Sequence, residues 1–216
     1  MKILVLASQK GGTGKTTLAG HLSVAAEMAG DGPAIMLDID QQGSLTAWWH
    51  NREADTPALA ERIPISDLPA KLVELKAGGF NLAVIDTPPS ATNAIRTVIA
   101  LADLVLIPCR PSPHDLRAVA DTVDMAAASS RPILFAVTMA KPTATLTTQA
   151  VAALSEHGPV SPTIIHDRID FAQSMIDGRT TLELSPKSKS AAEIAALWQN
   201  IRSKLFPTPR KKKEPR

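Results

Sequence analysis

Residues 3–17 read Ile-Leu-Val-Leu-Ala-Ser-Gln-Lys-Gly-Gly-Thr-Gly-Lys-Thr-Thr. A continuous apolar run passes directly into a glycine-rich loop, and a stretch with helical spacing, 15–29, follows at once. Uninterrupted apolarity suits a strand covered on both faces. The glycines let successive backbone N–H groups converge on an anion, and the following helix adds the positive end of its dipole. In that setting Lys15 can bridge the β- and γ-phosphates of a nucleotide, and the Thr16 hydroxyl can ligate Mg²⁺. A tight strand-to-helix turn without ligand would explain Gly11, Gly12 and Gly14, but not the lysines and threonines around them. The common pattern G-x-x-x-x-G-K-[ST] is not fully met. Gln9 stands at its first glycine, and Lys10 adds a second lysine at the loop's start.

The rhythm set by residues 3–17 continues outward. Short apolar runs at 34–39, 82–86, 104–108, 133–138 and 163–165 alternate with helically spaced stretches at 67–77, 92–102, 114–129, 144–156, 168–177 and 189–205. Strands alternating with helices predict an α/β fold, a doubly wound, mostly parallel sheet with helices on both faces, as in P-loop NTPases. The chain has 216 residues, and its pattern predicts one domain over 1–206 and a flexible, basic, Pro-rich tail over 207–216. In such sheets ligands bind beyond the carboxyl ends of the strands.

Two of those ends carry carboxylates. The second run closes in Asp38-Ile39-Asp40-Gln41-Gln42-Gly43, and alternation puts Asp38 and Asp40 on one side. Another closes in Asp86-Thr87-Pro88-Pro89. A single Asp at such a place reads equally well as a helix cap. Three of them facing a phosphate loop point to a Mg·nucleotide site, because a carboxylate at a buried strand end is costly without a cation or donors.

Composition narrows the function classes. The single cysteine, Cys109, excludes an internal disulfide framework and a Cys-based zinc site, and it reads as a small buried hydrophobe. The chain has no Tyr, so stacking on single-stranded bases is disfavoured. No apolar run reaches the roughly 18 residues of a membrane span, and no targeting peptide is legible, so a reducing cytoplasm is expected. The net charge of +2 is unevenly placed: 207–216 hold five basic residues and one acidic one, which leaves the rest of the chain net acidic.

The stretch Lys-Gly-Gly-Thr-Gly-Lys-Thr (10–16), with the carboxylate stations, resembles the deviant phosphate loop of the ParA/MinD family of ATPases. It is most similar to the small ParA plasmid and chromosome partition proteins without an N-terminal helix-turn-helix extension. The resemblance extends to about Phe206. It implies a Mg-dependent ATPase with ATP and Mg²⁺ as cofactors, and nucleotide contacts from Lys10, Gly11, Gly12, Thr13, Gly14, Lys15, Thr16 and Thr17. It implies that Asp40 orients the attacking water, and that Thr16, Asp38 and Asp86 form the metal station. Lys10, Lys15 and Asp40 are then the catalytic set, with Lys10 reaching the nucleotide of a second subunit. The segment Pro108-Cys109-Arg110-Pro111-Ser112-Pro113 resembles a family stretch near the nucleotides and the dimer seam. Gln41 stands where the family has a proline, which implies a less rigid first switch. The guanine-reading Asn-Lys-x-Asp motif is absent after the run 133–138, where Thr138-Met139-Ala140-Lys141 stands, so ATP is expected.

The implied partners are a second copy of the chain, nonspecific DNA on the nucleoid, and a stimulating protein of centromere-binding ParB type or small ribbon-helix-helix type. Ser190–Phe206 places Ile194, Leu197, Trp198, Ile201 and Leu205 on one face. Three readings follow: a membrane-lying helix as in the MinD branch, a DNA-contacting helix as in the ParA branch, or a packed terminal helix with a solubilising tail. Three prolines beyond the helix favour packing plus tail. The candidate DNA contacts are Lys187, Lys189, Arg202, Lys204, Arg210, Lys211, Lys212 and Lys213, with Arg168 as a further one. A rival of another class is a metabolic enzyme transferring phosphate to a small acceptor. Another is a relative that positions a protein cargo.

Overall fold

The apolar run that opens the chain becomes β1 (Lys2–Leu6), at the heart of a six-stranded sheet. The computed structural model describes residues 1–60, 62–90, 92–142 and 145–207. Within them the elements follow as α1 (Lys15–Met28), β2 (Ala34–Asp38), α2 (Ser44–His50), β3 (Ala58–Ala60), α3 (Leu68–Ala77), β4 (Leu82–Asp86), α4 (Asn93–Ala100) and β5 (Leu104–Cys109). Then come α5 (Pro113–Arg117), α6 (Ala120–Ala128), β6 (Ile133–Val137), α7 (Thr145–Ser155), α8 (Ile169–Ser174), α9 (Thr181–Leu184) and α10 (Lys189–Leu205). The strand order is β3-β2-β4-β1-β5-β6 and every pairing is parallel.

Side chains alternate across the strands and feed two cores. On one face Leu4, Leu6, Met36, Val84 and Leu106 pack under α1, α2, α9 and α10. On the other Val5, Ile35, Ile85, Val105 and Ile107 pack under α3, α4, α6 and α7. With apolar cover on both sides, the strands need the continuous apolarity read from the sequence. β1 lies between β4 and β5, so the loop leaving it opens where the strand order reverses, the place at which such sheets bind ligands.

Three expectations need correction. The run 163–165 forms no named strand. It lies along the β6 edge through scattered bonds, such as Ile165 N–H to Val137 O at 2.9 Å, because Pro159 and Pro162 lack the N–H groups a ladder needs. The sheet gains its sixth strand at the opposite edge, in β3, whose three residues between Pro57 and Pro64 carry no legible period. The helix expected over 114–129 is two, since Ala118 and Val119 bond back three residues instead of four and re-aim the chain.

The C-terminal helix packs on the domain. Ile194, Leu197, Trp198, Ile201 and Leu205 are all buried. Each such side chain contributes about 1.5–3 kcal/mol when buried, so this face is committed to the core rather than left for a lipid surface. Among the described residues no helix is long and apolar enough to cross a membrane.

Candidate functional site

Gly12 and Gly14 turn the loop after β1 with φ of +71° and +91°. That left-handed backbone costs glycine little and other residues much. Gly14 is also the N-cap of α1; it offers no capping side chain, and no acidic residue stands in the first turn. The N–H groups at this helix start are therefore open to an anion. Thr138 Oγ1, at the exit of β6, donates to Thr13 O at 2.9 Å and ties the loop to the sheet.

Lys15 lies inside this loop. Its ammonium donates to the carbonyls of Ser8 and Lys10, both at 3.3 Å. Burial lowers its pKa, while Asp86 and Asp40 pull the other way. Thr16 Oγ1 donates to Asp86 Oδ2 at 2.6 Å. Asp86 is buried, and its Oδ1 finds no hydrogen-bond partner; nor do Thr13 Oγ1 and Gln9 Nε2. Burial pushes the Asp86 carboxyl up to about 7, against the Thr16 hydrogen bond. A buried, unpartnered carboxylate oxygen and a hydroxyl, both hard donors, thus lie close together beside a buried lysine. This is chemistry that fits a small divalent cation.

Asp38 and Asp86 are direct register partners on β2 and β4. Asp38 Oδ1 accepts from Asp40 N–H at 3.1 Å, and its Oδ2 accepts from Thr46 N–H at 2.9 Å and Oγ1 at 3.0 Å. Asp40 Oδ1 in turn accepts from Gln42 N–H at 3.0 Å. These nested bonds order the turn where Gln41 replaces the family's proline. Among the described residues no group of three or more His, Cys, Asp or Glu side chains is arranged to hold a metal alone.

β5 continues one residue past the expected stop at Pro108. Val105 N–H bonds toward Pro132 on the β6 side, so by alternation position 108 faces β1, which has already ended. After β5, Ser112 caps α5 by accepting Asp115 N–H at 3.2 Å, and Pro113 opens the helix. Arg110 donates through Nε and Nη2 to Asp115 Oδ1, both at 3.1 Å, and its guanidinium lies over Gly12. Lys10 gives its carbonyl to Lys15 but is itself exposed, on a cavity of about 570 Å³ that Arg110, Pro111, Ser112 and Lys141 also line. No hydrogen bond or ion pair engages the Lys10 ammonium among the described residues.

A second cavity, of about 640 Å³, adjoins the loop. Gly14, Thr16 and Thr17 line it together with Trp48 of α2, Met139, and Asp167, Arg168 and Phe171 from the segment beyond β6. The sequence reading missed this last segment. Its signal was the one used elsewhere, polar residues just after an apolar run, here Asp167 and Arg168 after 163–165. Arg168, a candidate DNA contact, is drawn into the wall by Glu193 at 2.7 Å.

The remaining candidates fall in several places. Lys187 and Lys189 are exposed at the start of α10, and Arg202 and Lys204 at its end. The two pairs are separated by roughly 20 Å of helix, so they do not form one patch. Arg202 is also engaged, with Asp31 at 2.8 Å. Arg210, Lys211, Lys212 and Lys213 lie outside the described residues. Cys109 is buried, and burial pushes its thiol up to about 12, away from reactivity. His21 is packed: Nδ1 bonds Thr17 O at 2.8 Å, and Nε2 accepts from Thr181 N–H at 3.1 Å. Trp48 is buried and Trp49 partly so, each indole donating to a backbone carbonyl.

Comparison with known proteins agrees with this geometry. The VirC1 protein family matches residues 1–203. Maintenance of carboxysome distribution protein A of Halothiobacillus neapolitanus is 30% identical over 199 residues, covering 88% of this chain and 91% of that protein. Protein virC1 of Rhizobium radiobacter is 29% identical over 199 residues, covering 85% and 84%. In structure, the MinD cell division protein of Aquifex aeolicus superposes with a TM-score of 0.79 at 18% identity, covering 97% of this chain and 100% of that one. The fold is that of the MinD-like P-loop NTPases.

Proposed function

The chain belongs to the VirC1 family of ParA/MinD-like P-loop ATPases, a group concerned with positioning and partitioning, and on that premise we propose a Mg-ATP-dependent dimeric switch. In its ATP state it holds DNA without sequence preference; partner-stimulated hydrolysis releases it. One observation carries the nucleotide reading: an uncapped helix start, a buried lysine and an orphaned buried carboxylate converge at the reversal point of the sheet. Thr16, Asp86 and Asp38 would hold Mg²⁺, which would supply positive charge against the phosphates. Lys15 would leave its two carbonyl partners for the β- and γ-phosphates, and the loop N–H groups would bind the rest. Asp40 would orient a water for attack on the γ-phosphorus, yielding ADP, inorganic phosphate and a proton. The nucleoside would occupy the cavity between Thr17 and Phe171. Fixed cations stabilise the charge that spreads over the transferred group.

The free, exposed ammonium of Lys10 supports a sandwich dimer in which it reaches the partner's nucleotide. Arg110, held by Asp115 above Gly12, supports the same seam. DNA would be met by Lys187, Lys189, Lys204 and the basic residues of the tail. The burial of the apolar face of α10 favours DNA over a MinD-like lipid contact. The name of the Halothiobacillus relative favours a second cargo reading, in which the moving body is a protein assembly and DNA is the track.

The test is size-exclusion light scattering and DNA co-sedimentation with ATP, run with liposomes in parallel. The unaltered chain should dimerise and sediment with DNA, in a salt-dependent manner, and leave the liposomes in solution. Lys10→Ala should remain monomeric, whereas Asp40→Ala should bind ATP and stay locked on DNA. Dimerisation of Lys10→Ala at the normal ATP concentration would sink the sandwich, and sedimentation with liposomes alone would sink the DNA reading.

A further inference from the structure

One wall of the nucleoside cavity is built from a segment that is not a named strand. Ile165–Arg168 is hooked on one side to the chain leaving β6, by Ala140 N–H to Ile165 O at 3.2 Å and Asp167 N–H to Ala140 O at 3.0 Å. On the other side it is held by one carboxylate from the C-terminal helix. Glu193 accepts His166 N–H at 3.1 Å, pairs with His166 Nδ1 at 2.8 Å, and accepts Arg168 Nε at 3.1 Å and Nη2 at 2.7 Å. Its side chain is only 13% exposed. Burial alone would raise its pKa, yet the hydrogen bonds from Arg168 and His166 hold it below the usual carboxylate range.

The next residue, Ile194, and Leu197 one turn on are buried in the core that α1 also packs into. α1 begins at the phosphate loop. Glu193 therefore links that loop to the wall, because its helix packs in the same core as α1 while its carboxylate grips His166 and Arg168, which line the cavity together with Thr16 and Thr17. Without it, Arg168 would regain many rotamers, and the segment Ile165–Arg168 would keep its backbone hooks and the buried Ile165 but lose its side-chain grip on α10.

We infer that Glu193 is a positioning residue for the nucleotide, holding His166 and Arg168 at a fixed distance from the phosphate loop and so setting affinity for the nucleoside end. The inference rests on reading the cavity as a nucleoside site. It also makes α10 a physical link between that site and the exposed lysines at the helix start.

Titration of the full chain with mant-ATP and mant-ADP, alongside steady-state hydrolysis, tests this. Glu193→Ala loses charge-assisted hydrogen bonds, so Kd and KM should rise about tenfold or more while kcat stays within about twofold. Glu193→Gln keeps an acceptor oxygen for Arg168 and should recover most of the affinity. Arg202→Ala cuts the other tether of α10, to Asp31, and should leave nucleotide affinity unchanged. Unaltered affinity in Glu193→Ala would overturn the inference, and so would equal losses in Glu193→Ala and Arg202→Ala. An unaltered chain that bound neither mant-nucleotide would overturn the nucleotide reading itself, and this inference with it.

Discussion

Asp86, at the end of β4 beside the start of α1, and His21, within α1, are both buried titratable groups, and the protein treats them in opposite ways. The carboxyl of Asp86 has one oxygen held by Thr16 and the other bare, and burial pushes it up to about 7. His21 has both ring nitrogens partnered and lies edge-on to Phe171 with centroids 5.4 Å apart; burial pushes it down to about 4. Each is driven toward its neutral form, because a low-dielectric interior disfavours charge. They differ in whether the protein supplies every partner. For the His21 ring it does, although the neighbouring Thr181 Oγ1 is buried without a partner. Around Asp86 it does not, and the bare oxygen is the one the proposed Mg·nucleotide site would use.

The largest effect should come from removing the charge at the incomplete region. Asp86→Asn should cut ATP hydrolysis by about 100-fold or more, since a preorganised charge at a phosphoryl-transfer site is worth that much. The same change should stabilise the unliganded chain. With a native pKa of about 7 against an ordinary 3.8, the native state holds a proton that the unfolded state releases. Asp86 therefore costs stability as pH rises from about 4 to about 7, and the full cost is present above 7. Thermal melts at pH 8 without nucleotide should show a higher Tm for Asp86→Asn. A lower Tm there would break the contrast.

An intermediate effect is expected at the completed region. His21→Gln should cost about 2–3 kcal/mol at pH 7.5 by urea unfolding, as a packed and fully hydrogen-bonded ring is lost. Hydrolysis per folded molecule should fall far less than in Asp86→Asn, because His21 touches the cavity only through Thr17 O and Phe171. The ring titrates near 4 in the native state and near 6.5 when unfolded. Its contribution is thus fully present above pH 6.5 and is lost as pH falls from there toward 4, so the gap between variant and unaltered chain should shrink on acidification. A gap that widened would show that the native imidazole is charged.

The smallest effect tests exposure against burial. Arg202 is about half exposed and pairs with Asp31. Arg202→Ala should lower stability by about 1 kcal/mol or less, and less again in high salt. A larger loss would mean that this pair, which also anchors Trp198 Nε1 to Asp31 at 3.0 Å, acts as a structural centre in its own right.

What could be read from the chain follows the range of each signal. The phosphate loop and the carboxylates at 38, 40 and 86 were legible because each is a local rule, a strand end followed by residues that cannot be buried unpaired. The run 163–165 failed because apolarity alone does not tell a strand from an edge segment whose prolines lack donors. α2 and β3 escaped because they are short and take their place from Trp48, Trp49 and the edge of β2. The Ile165–Arg168 wall of the cavity escaped because Glu193 and Arg168 are 25 residues apart.

The sequence by itself therefore determined the α/β fold class, the anion loop and the carboxylate stations, since periodicity and backbone chemistry act over a few residues. The tertiary structure alone decided which buried polar groups are satisfied and which are left unpaired. It set the Lys15 side chain inside the loop with that of Lys10 exposed, spent the apolar face of α10 on the core, and split the basic residues of that helix between its two ends. Those outcomes depend on which distant segments meet, and burial acts on groups only once the chain has folded around them.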